Sequence, residues 1–252
     1  MNAKLIPAFW VLVFTGVLSA ETDATFTGSF RVASPSYVET RYIDIEYEPQ
    51  GFYSVTAHFC DPERSWKARG LEAYGYLGVM AWGDAPAIAV YERNASGLAG
   101  LSTGYEYTNV IAEASAGAEP LTLSGIDFQG AYQLTGNIGD RKDSTESYEI
   151  IRDMVLPEIA PFDYTMTIKP SGPIWKIEYT SQASDWGNGI GIAAGDVLVI
   201  GFIDDSQDTE IWMLKRKEDG SELEGRWLYC FKDRSEKDVV MNGWLYAKKN
   251  EP

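Results

Sequence analysis

The chain has 252 residues and a formal net charge of −16, and it contains 15 Tyr and 8 Trp. This length is enough for one or two domains with a sizeable buried core. Because an acidic surface repels phosphate backbones, the charge argues against nucleic acid as a partner. The abundance of large aromatic residues is typical of half-buried β-sheets.

Residues 1–20 have the pattern of a cleaved secretory signal. Lys4 provides a short basic start, residues 5–18 are apolar, and Ala20 is a small residue of the kind that signal peptidases accept. An uncleaved anchor is the alternative, but the apolar stretch is short for a bilayer span and contains Pro7. We therefore expect a secreted or periplasmic protein without a membrane span in its mature chain.

The segment from Gly187 to Trp227 contains the clearest strand pattern. Residues 197–202 form a fully apolar run, which predicts a strand buried on both faces. Gly195-Asp196 predicts a tight turn before this run, and Asp219-Gly220 is a dipeptide typical of two-residue type I′ hairpins. The predicted fold class is all-β, with antiparallel meander barrels or sandwiches in two related repeats.

An internal duplication underlies the prediction of two repeats. FTGSFRV and FQGAYQL share a Phe-x-Gly-x-aromatic-x-aliphatic pattern, and later hairpins match in the same order. The matching segments are 26–32 with 128–134, 42–55 with 162–177, and 87–100 with 210–225. Chance recurrence of hairpin composition is the alternative explanation.

The duplication predicts a domain division. Repeat one spans 22–108, an Ala-rich linker spans 109–124, and repeat two spans 125–249. The later matches have a larger offset than the first, so repeat two carries an insertion at 137–161. Such an insertion is often a binding loop, or else a structurally neutral excursion. Whether the repeats form two barrels or share one sandwich stays open.

No residue pattern predicts a catalytic site. His58 is the single histidine, strand alternation places it on the solvent face, and there is no G-x-S-x-G motif. A pair of carboxylates would suffice for glycoside hydrolysis. The candidates, among which spacing selects no pair, are Asp44, Glu46, Glu72, Asp84, Asp185 and Asp196.

Asp204, Asp205 and Asp208 form the densest cluster of oxygen ligands and lie between predicted strands. Calcium binds several carboxylates on flexible loops, so these residues are the calcium candidates. The EF-hand pattern is absent, and a solvated hairpin tip is the alternative. No metal site and no cofactor is predicted.

Aromatic residues are the candidates for ligand binding. A barrel lumen lined by Trp and Tyr can hold a small molecule, because these rings combine apolar area with a polar group. The candidates are Trp175, Trp186 and Trp212, which lie along predicted strands, and Tyr148, which lies in the insertion.

Cys60 and Cys230 are the two cysteines of the chain. An exported protein occupies a compartment that permits disulfides, so the two can pair. Such a bridge would close a long loop and stabilise the fold by a few kcal/mol. Two isolated buried thiols are the alternative, because the two cysteines do not occupy equivalent places in the repeats.

Repeat two contains a series of motifs that resembles a known group. It has Gly-x-Tyr-x-Leu at 130–134, a Pro-x-Gly turn at 170–172, GNGIGIAAGDVLVIGF from 187, and DGSELEGRW from 219. This series is similar to a loosely defined group of exported bacterial tandem-repeat β-proteins, some of them labelled fibronectin-binding. The resemblance implies an adhesive or binding role. The meander also resembles lipocalin and avidin barrels.

We therefore expect an exported, non-catalytic binding protein. Its ligand would be a small apolar molecule inside a barrel or an extracellular protein on the outer face. Two alternatives remain, a carboxylate-based hydrolase and a structural component of the cell envelope.

Overall fold

The computed structural model describes residues 25–34, 41–58, 65–81, 86–104, 109–138, 162–181, 186–203, 208–232 and 238–250. Several sequence predictions fall outside these ranges, namely those on residues 1–20, Cys60, Asp84, Tyr148, Asp185, Asp204, Asp205 and most of the 137–161 insertion.

The first half of the described chain forms a closed antiparallel barrel. Each strand pairs with the next, and β8 pairs back with β1. The strands are β1 (Gly28–Ala33), β2 (Arg41–Glu48), β3 (Phe52–His58), β4 (Ser65–Ala73), β5 (Tyr76–Ala81), β6 (Ala87–Asn94), β7 (Gly97–Gly104) and β8 (Ile111–Ser115). Closure is narrow at this point, because only Val32 and Ala33 of β1 pair with β8.

The second half forms a second closed barrel with the same strand order. Here β16 pairs back with β9, so that strand n of the first barrel corresponds to strand n + 8 of the second. The strands are β9 (Gly130–Ile138), β10 (Phe162–Ser171), β11 (Ile174–Ser181), β12 (Trp186–Ala194), β13 (Val197–Ile203), β14 (Thr209–Arg216), β15 (Glu222–Lys232) and β16 (Asp238–Lys249). The predicted all-β fold with two related repeats is confirmed, as two barrels rather than one sandwich.

Strand β8 corrects the predicted linker. It lies inside the 109–124 segment, where the Ala-rich sequence carries little strand signal. Val32 and Ala33 of β1 pair with Ser115 and Ala114, and this pairing closes the first barrel. The first barrel therefore extends to Ser115, and the connection to the second barrel begins after it.

The two predicted turns in repeat two have different outcomes. Ala194 pairs with Val197 across Gly195-Asp196, and Gly195 has a φ of 55°, so the first turn is confirmed. The prediction of a two-residue hairpin at Asp219-Gly220 is wrong. That connection spans 217–221, because the Gly220 N–H donates to the Lys217 carbonyl and closes a wider loop.

A third apolar layer lies between the barrels. Val199 of β13 and Met213 of β14 pack against β5 of the first barrel, where Gly78 provides the space. A Cβ atom at Gly78 would lie 2.8 Å from Val199 Cγ1. This layer explains the predicted burial of residues 197–202 on both faces, since one face lines the second lumen and the other faces the first barrel.

The two ends of each barrel differ. At one end, the turn end, strands are joined through short turns at 49–51, 74–75, 95–96, 172–173, 195–196 and 217–221. At the other, the loop end, each connection within a barrel contains residues outside the described ranges. The turn ends are closed by Phe26 and Phe128, both fully buried.

The described residues include no helix that could cross a lipid bilayer.

Candidate functional site

The lumens of the two barrels differ most at the loop end. The first barrel has small side chains facing inward there, at Ala57, Ala81, Ala87, Ala89, Ser102 and Gly104. The second barrel has large side chains at the corresponding positions, Tyr179, Phe202, Glu210, Trp212, Trp227 and Tyr229. The correspondence follows from strand pairing, because Ala89 faces Ser102 as Trp212 faces Trp227.

Aromatic rings fill the loop end of the second lumen. Trp212 is 2% exposed, and its ring stacks on Tyr179 with the centroids 5.3 Å apart. Phe202 contacts the same indole at 4.6 Å between centroids. The Trp212 Nε1–H donates to Glu210 Oε1 at 2.7 Å. This part of the second barrel is a packed aromatic core.

Glycines on β12 make room for these rings. Gly187 faces Tyr179, and Gly189 faces Phe202 across the β12–β13 pair. A Cβ atom at Gly189 would lie 2.6 Å from the Phe202 ring, which is closer than real Cβ contacts. The alternating glycines of β12, which make this part of the sequence easy to recognise, therefore provide the space in which the aromatic rings pack.

The structure separates the predicted ligand residues. Trp175 lies at the turn end, where its ring packs edge-on against Phe128 at 5.8 Å. Trp212 stacks on Tyr179, which lies further along β11 from Trp175 by about 13 Å at the usual rise per residue. Trp186 lies in β12 and pairs with Thr180. Trp175 and Trp212 thus do not line one site.

A buried charged pair lies in the lumen of the first barrel. Arg41, the first residue of β2, donates from Nε to Glu113 Oε2 at 2.7 Å and from Nη2 to Glu113 Oε1. The hydroxyl of Tyr91 donates to the same Oε1 at 2.7 Å. Glu113 is 2% exposed. Burial, together with the Glu113 charge, raises the pKa of Tyr91 well above its ordinary value.

The second barrel has no such pair at the same positions. Gly100 lies between Tyr91 and Glu113 in the first barrel, and in the second Gly225 lies between Leu214 and Leu245. The Arg41 position is occupied there by Tyr164, so the repeated fold forms without a charge at either place. Buried ion pairs are often no more stabilising than apolar residues of similar size, so the pair calls for an explanation other than folding.

Trp66 forms one wall above the charged pair. It lies in β4 opposite Ala57, at the position that Gly187 occupies in the second barrel. The Arg41 guanidinium carbon is 5.7 Å from the centre of the Trp66 ring, a cation–π distance. The first loop end thus combines small apolar walls, one indole face and a charged pair that includes Arg41 at the start of β2. Such a combination is typical of ligand pockets.

The other candidate residues do not assemble a catalytic or metal site among the described residues. Asp208 accepts a hydrogen bond from the Tyr229 hydroxyl at 2.9 Å, and the described residues contain no group of three metal-ligating side chains. His58 is 44% exposed on the outer face, where its Nε2 lies 3.0 Å from Asp44. Ser29 donates to Asp44 rather than to His58, so no nucleophile–base pair forms there.

The carboxylates proposed for hydrolysis are dispersed where they are described. Asp44 and Glu46 lie on the outer face of β2, opposite in orientation to the buried Ile45. Glu72 accepts a hydrogen bond from the Tyr53 hydroxyl at the turn end of the first barrel. Asp196 lies in a turn, 3.5 Å from the Lys215 amine.

Cys230 lies in β15 and is buried in the apolar layer between the barrels. Its Cα partners are Thr209 and Val240. Because Cys60 lies outside the described residues, its pairing with Cys230 stays a prediction.

The chain matches no protein-family description and no curated protein. Among solved structures it is similar to a protein of unknown function from the DUF3598 family of Nostoc punctiforme. That protein is 11% identical over 88% of this chain and 94% of its own, with a TM-score of 0.24. The description of the fold therefore rests on the strand pairing above, and the exported tandem-repeat group stays a resemblance.

Proposed function

We propose that the protein is an exported, non-catalytic binding protein that holds a small molecule at the loop end of its first barrel. The observation that carries the proposal is the contrast between the two lumens. Where the second barrel has Phe202 and Trp212, the first has Ala81 and Ala89, whereas the Tyr179–Gly187 pair of the second barrel is replaced by Ala57 and Trp66 in the first.

The sizes involved suit a small ligand. An eight-stranded barrel has an interior just wide enough to be filled by side chains or to hold one small molecule. Buried aromatic side chains each contribute roughly 150–250 Å² of surface. A molecule that replaces several such rings in the first lumen would be of ordinary ligand size. Trp66 and Arg41 would contact it from the rim of the lumen.

Lining residues at the first loop end are also in part open to solvent. Ala87, Ser102 and Gly104 face the lumen but are only partly buried, whereas Tyr91 and Leu98 deeper in the barrel are fully buried. This gradient supports entry of the ligand from the loop end.

The test is titration of the mature protein with a panel of small apolar molecules. Binding is measured by isothermal titration calorimetry and by the change in Trp fluorescence. Recovery of a chain that begins at Glu21 from the medium or periplasm checks the proposed export. Ala81→Phe and Ala89→Trp copy the second barrel and should each reduce affinity at least tenfold, because the new ring occupies the lumen.

Thr56→Phe is the matched control, since Thr56 lies beside Ala57 on the outer face of the same strand. It should leave affinity unchanged. Unaltered binding by both filled variants, with circular dichroism showing native strands, would place the ligand elsewhere. A panel in which nothing binds would count against the binding role itself.

A further inference from the structure

Two large aromatic side chains lie on the outer face of the second barrel. Trp244 is 55% exposed and Tyr246 is 38% exposed, whereas Leu245 between them is buried in the lumen cluster. Because alternate residues of a strand point to the same face, the two side chains emerge side by side, about 7 Å apart along β16. A group of exposed apolar residues often marks an interaction site, whereas single ones need no explanation.

The barrel fold does not require these two rings. In the first barrel, Ala112 and Ala114 of β8 occupy the corresponding positions, because they flank the residue that corresponds to Leu245. A closed barrel with the same strand order therefore forms with methyl groups at both places. Trp244 and Tyr246 are particular to the second barrel, and folding does not explain them.

The neighbouring outward positions are polar and uncharged. Thr135 of β9 pairs with Tyr246, and its hydroxyl donates to the Tyr246 carbonyl at 3.4 Å. Gln133, Thr165 and Thr167 continue this outer face across β9 and β10, since the residues between them are buried in the lumen. In a chain with a net charge of −16, these hydroxyl and amide groups form a surface strip without a charge of its own.

Two cations on the β15 side hold the rings. The Arg226 guanidinium carbon lies 5.5 Å from the centre of the Trp244 ring, and Lys217 Nζ lies 5.1 Å from that of Tyr246, both cation–π distances. Lys217 is in turn paired with Glu222. These contacts restrict the rings before any ligand arrives, which lowers the entropic cost of binding to them.

A third exposed ring borders this face where the first barrel adjoins it. A Cβ atom at Gly51, in the turn after β2, would lie 3.9 Å from Asn242 Nδ2 and 4.0 Å from the Tyr47 hydroxyl oxygen. Tyr47 is 39% exposed. If a fully exposed aromatic side chain presents roughly 200 Å², Tyr47, Trp244 and Tyr246 together expose about 250 Å². That is about half of the apolar area that one partner contributes to a standard protein complex, which favours a smaller ligand.

We propose that this face, formed by Trp244 and Tyr246 with the polar residues of β9 and β10, binds a neutral oligosaccharide. Sugar rings have apolar C–H faces that stack on exposed aromatic rings, and their hydroxyl groups exchange hydrogen bonds with Thr and Gln side chains. An anionic chain is disfavoured, because Glu224 lies opposite Tyr246 and the whole surface is acidic. The site lies outside both lumens and is independent of the small-molecule site proposed above.

A panel of neutral hexasaccharides, namely cellohexaose, laminarihexaose and xylohexaose, tests the proposal. Isothermal titration calorimetry with the mature protein should show binding of at least one of them. Its affinity should be at least tenfold higher than that of hexagalacturonate, an anionic chain of the same length. The proposal is wrong if no neutral hexasaccharide binds, or if hexagalacturonate binds as tightly as the best of them.

Substitutions of the rings locate the ligand. Trp244→Ala and Tyr246→Ala should each lower the affinity about tenfold, because each removes one stacking surface. Trp244→Phe keeps a ring and should lower the affinity less than Trp244→Ala. Tyr42→Ala is the matched control, since it removes a ring that is 51% exposed on the outer face of the first barrel, and it should leave the affinity unchanged. Circular dichroism would establish that each variant is folded.

Three outcomes would assign the ligand or the face differently. Unaltered affinity in folded Trp244→Ala and Tyr246→Ala would overturn the proposal. Loss of oligosaccharide binding in Ala81→Phe or Ala89→Trp would place the sugar in the first lumen instead, whereas we expect no change in these variants. A wild-type dimer in sedimentation velocity that Trp244→Ala converts to monomers would assign the face to a second copy of the chain.

Discussion

At the residue scale, the Arg41–Glu113 pair shows how a buried charge is maintained in a barrel lumen. Three hydrogen bonds reach the Glu113 carboxylate, two from Arg41 and one from the Tyr91 hydroxyl. The guanidinium also lies over the Trp66 ring. Each of these groups offsets part of the cost of burying the others. Removal of Arg41 or Glu113 alone should therefore lower the free energy of unfolding more than removal of both together.

Single and double substitution of the pair should therefore have unequal effects on stability. Glu113→Leu removes the carboxylate that accepts two hydrogen bonds from the largely buried Arg41 guanidinium and should lower the free energy of unfolding by about 3–5 kcal/mol. Addition of Arg41→Tyr should recover most of that loss, because the second barrel has Tyr164 and Leu245 at these two positions. Urea denaturation followed by circular dichroism would measure both. A double variant no more stable than the single one would contradict this account.

At the element scale, contact between β5 and β13 joins the barrels. Gly78 of β5 receives Val199 and Met213, and Gly201 of β13 receives Met80 of the first barrel. Because Met80 and Gly201 are at corresponding positions in the two repeats, equivalent surfaces of the duplicated units meet each other. The glycines at this interface allow close approach of two already closed sheets.

A side chain at Gly78 should disturb this contact. Gly78→Val should lower the free energy of unfolding by about 1–3 kcal/mol, because its Cβ would meet Val199 Cγ1 at 2.8 Å and Met213 Sδ at 3.1 Å. Gly125→Ala is the control, since a Cβ there has nothing within 4 Å. It should change stability by less than about 0.5 kcal/mol. Equal effects of the two substitutions in urea denaturation would argue against a tightly packed interface.

At the scale of the whole molecule, several buried tyrosines make the fold sensitive to alkali. Burial, together with the Glu72 charge, raises the pKa of Tyr53 well above its ordinary value, and burial raises the pKa of Tyr74 to about 12. Tyr91 shifts in the same direction. Below pH 10 these hydroxyls are neutral in both the folded and the unfolded chain, so they do not change the stability there.

Stability should decline as the pH rises above 10. The unfolded chain then releases protons that the folded chain retains, so the free energy of the unfolded state falls relative to that of the native state. For Tyr91 the loss should approach about 1.4 kcal/mol per pH unit. Urea midpoints between pH 9 and 12, with tyrosinate absorbance at the same points, would test this.

Tyr91→Phe should make the alkaline decline shallower, because it removes a fully buried hydroxyl whose pKa is raised in the folded state. Tyrosinate absorbance that reached its full value near pH 10 with the strands intact would contradict the assignment of these groups as buried.

Much of the fold could be predicted from the sequence, but little of the candidate site. The alignment of segments 87–100 and 210–225 already matches Ala89 of repeat one to Trp212 of repeat two. This match was the available sequence signal for a difference between the two lumens. Trp212 was selected because of its ring, yet the ring itself fills the lumen that it lines. Glu113 was missed because it lies in a segment predicted to be a linker.

The sequence by itself determined the strand content, the two repeats and the inward or outward direction of most strand residues. These features depend on a period of two along the chain and on turn residues, both of which are local. The closed tertiary structure decided which residues share a lumen and which strands, such as β8, complete a barrel. Arg41 and Glu113 lie far apart in the chain and meet only after β8 pairs with β1, so no local pattern could have joined them.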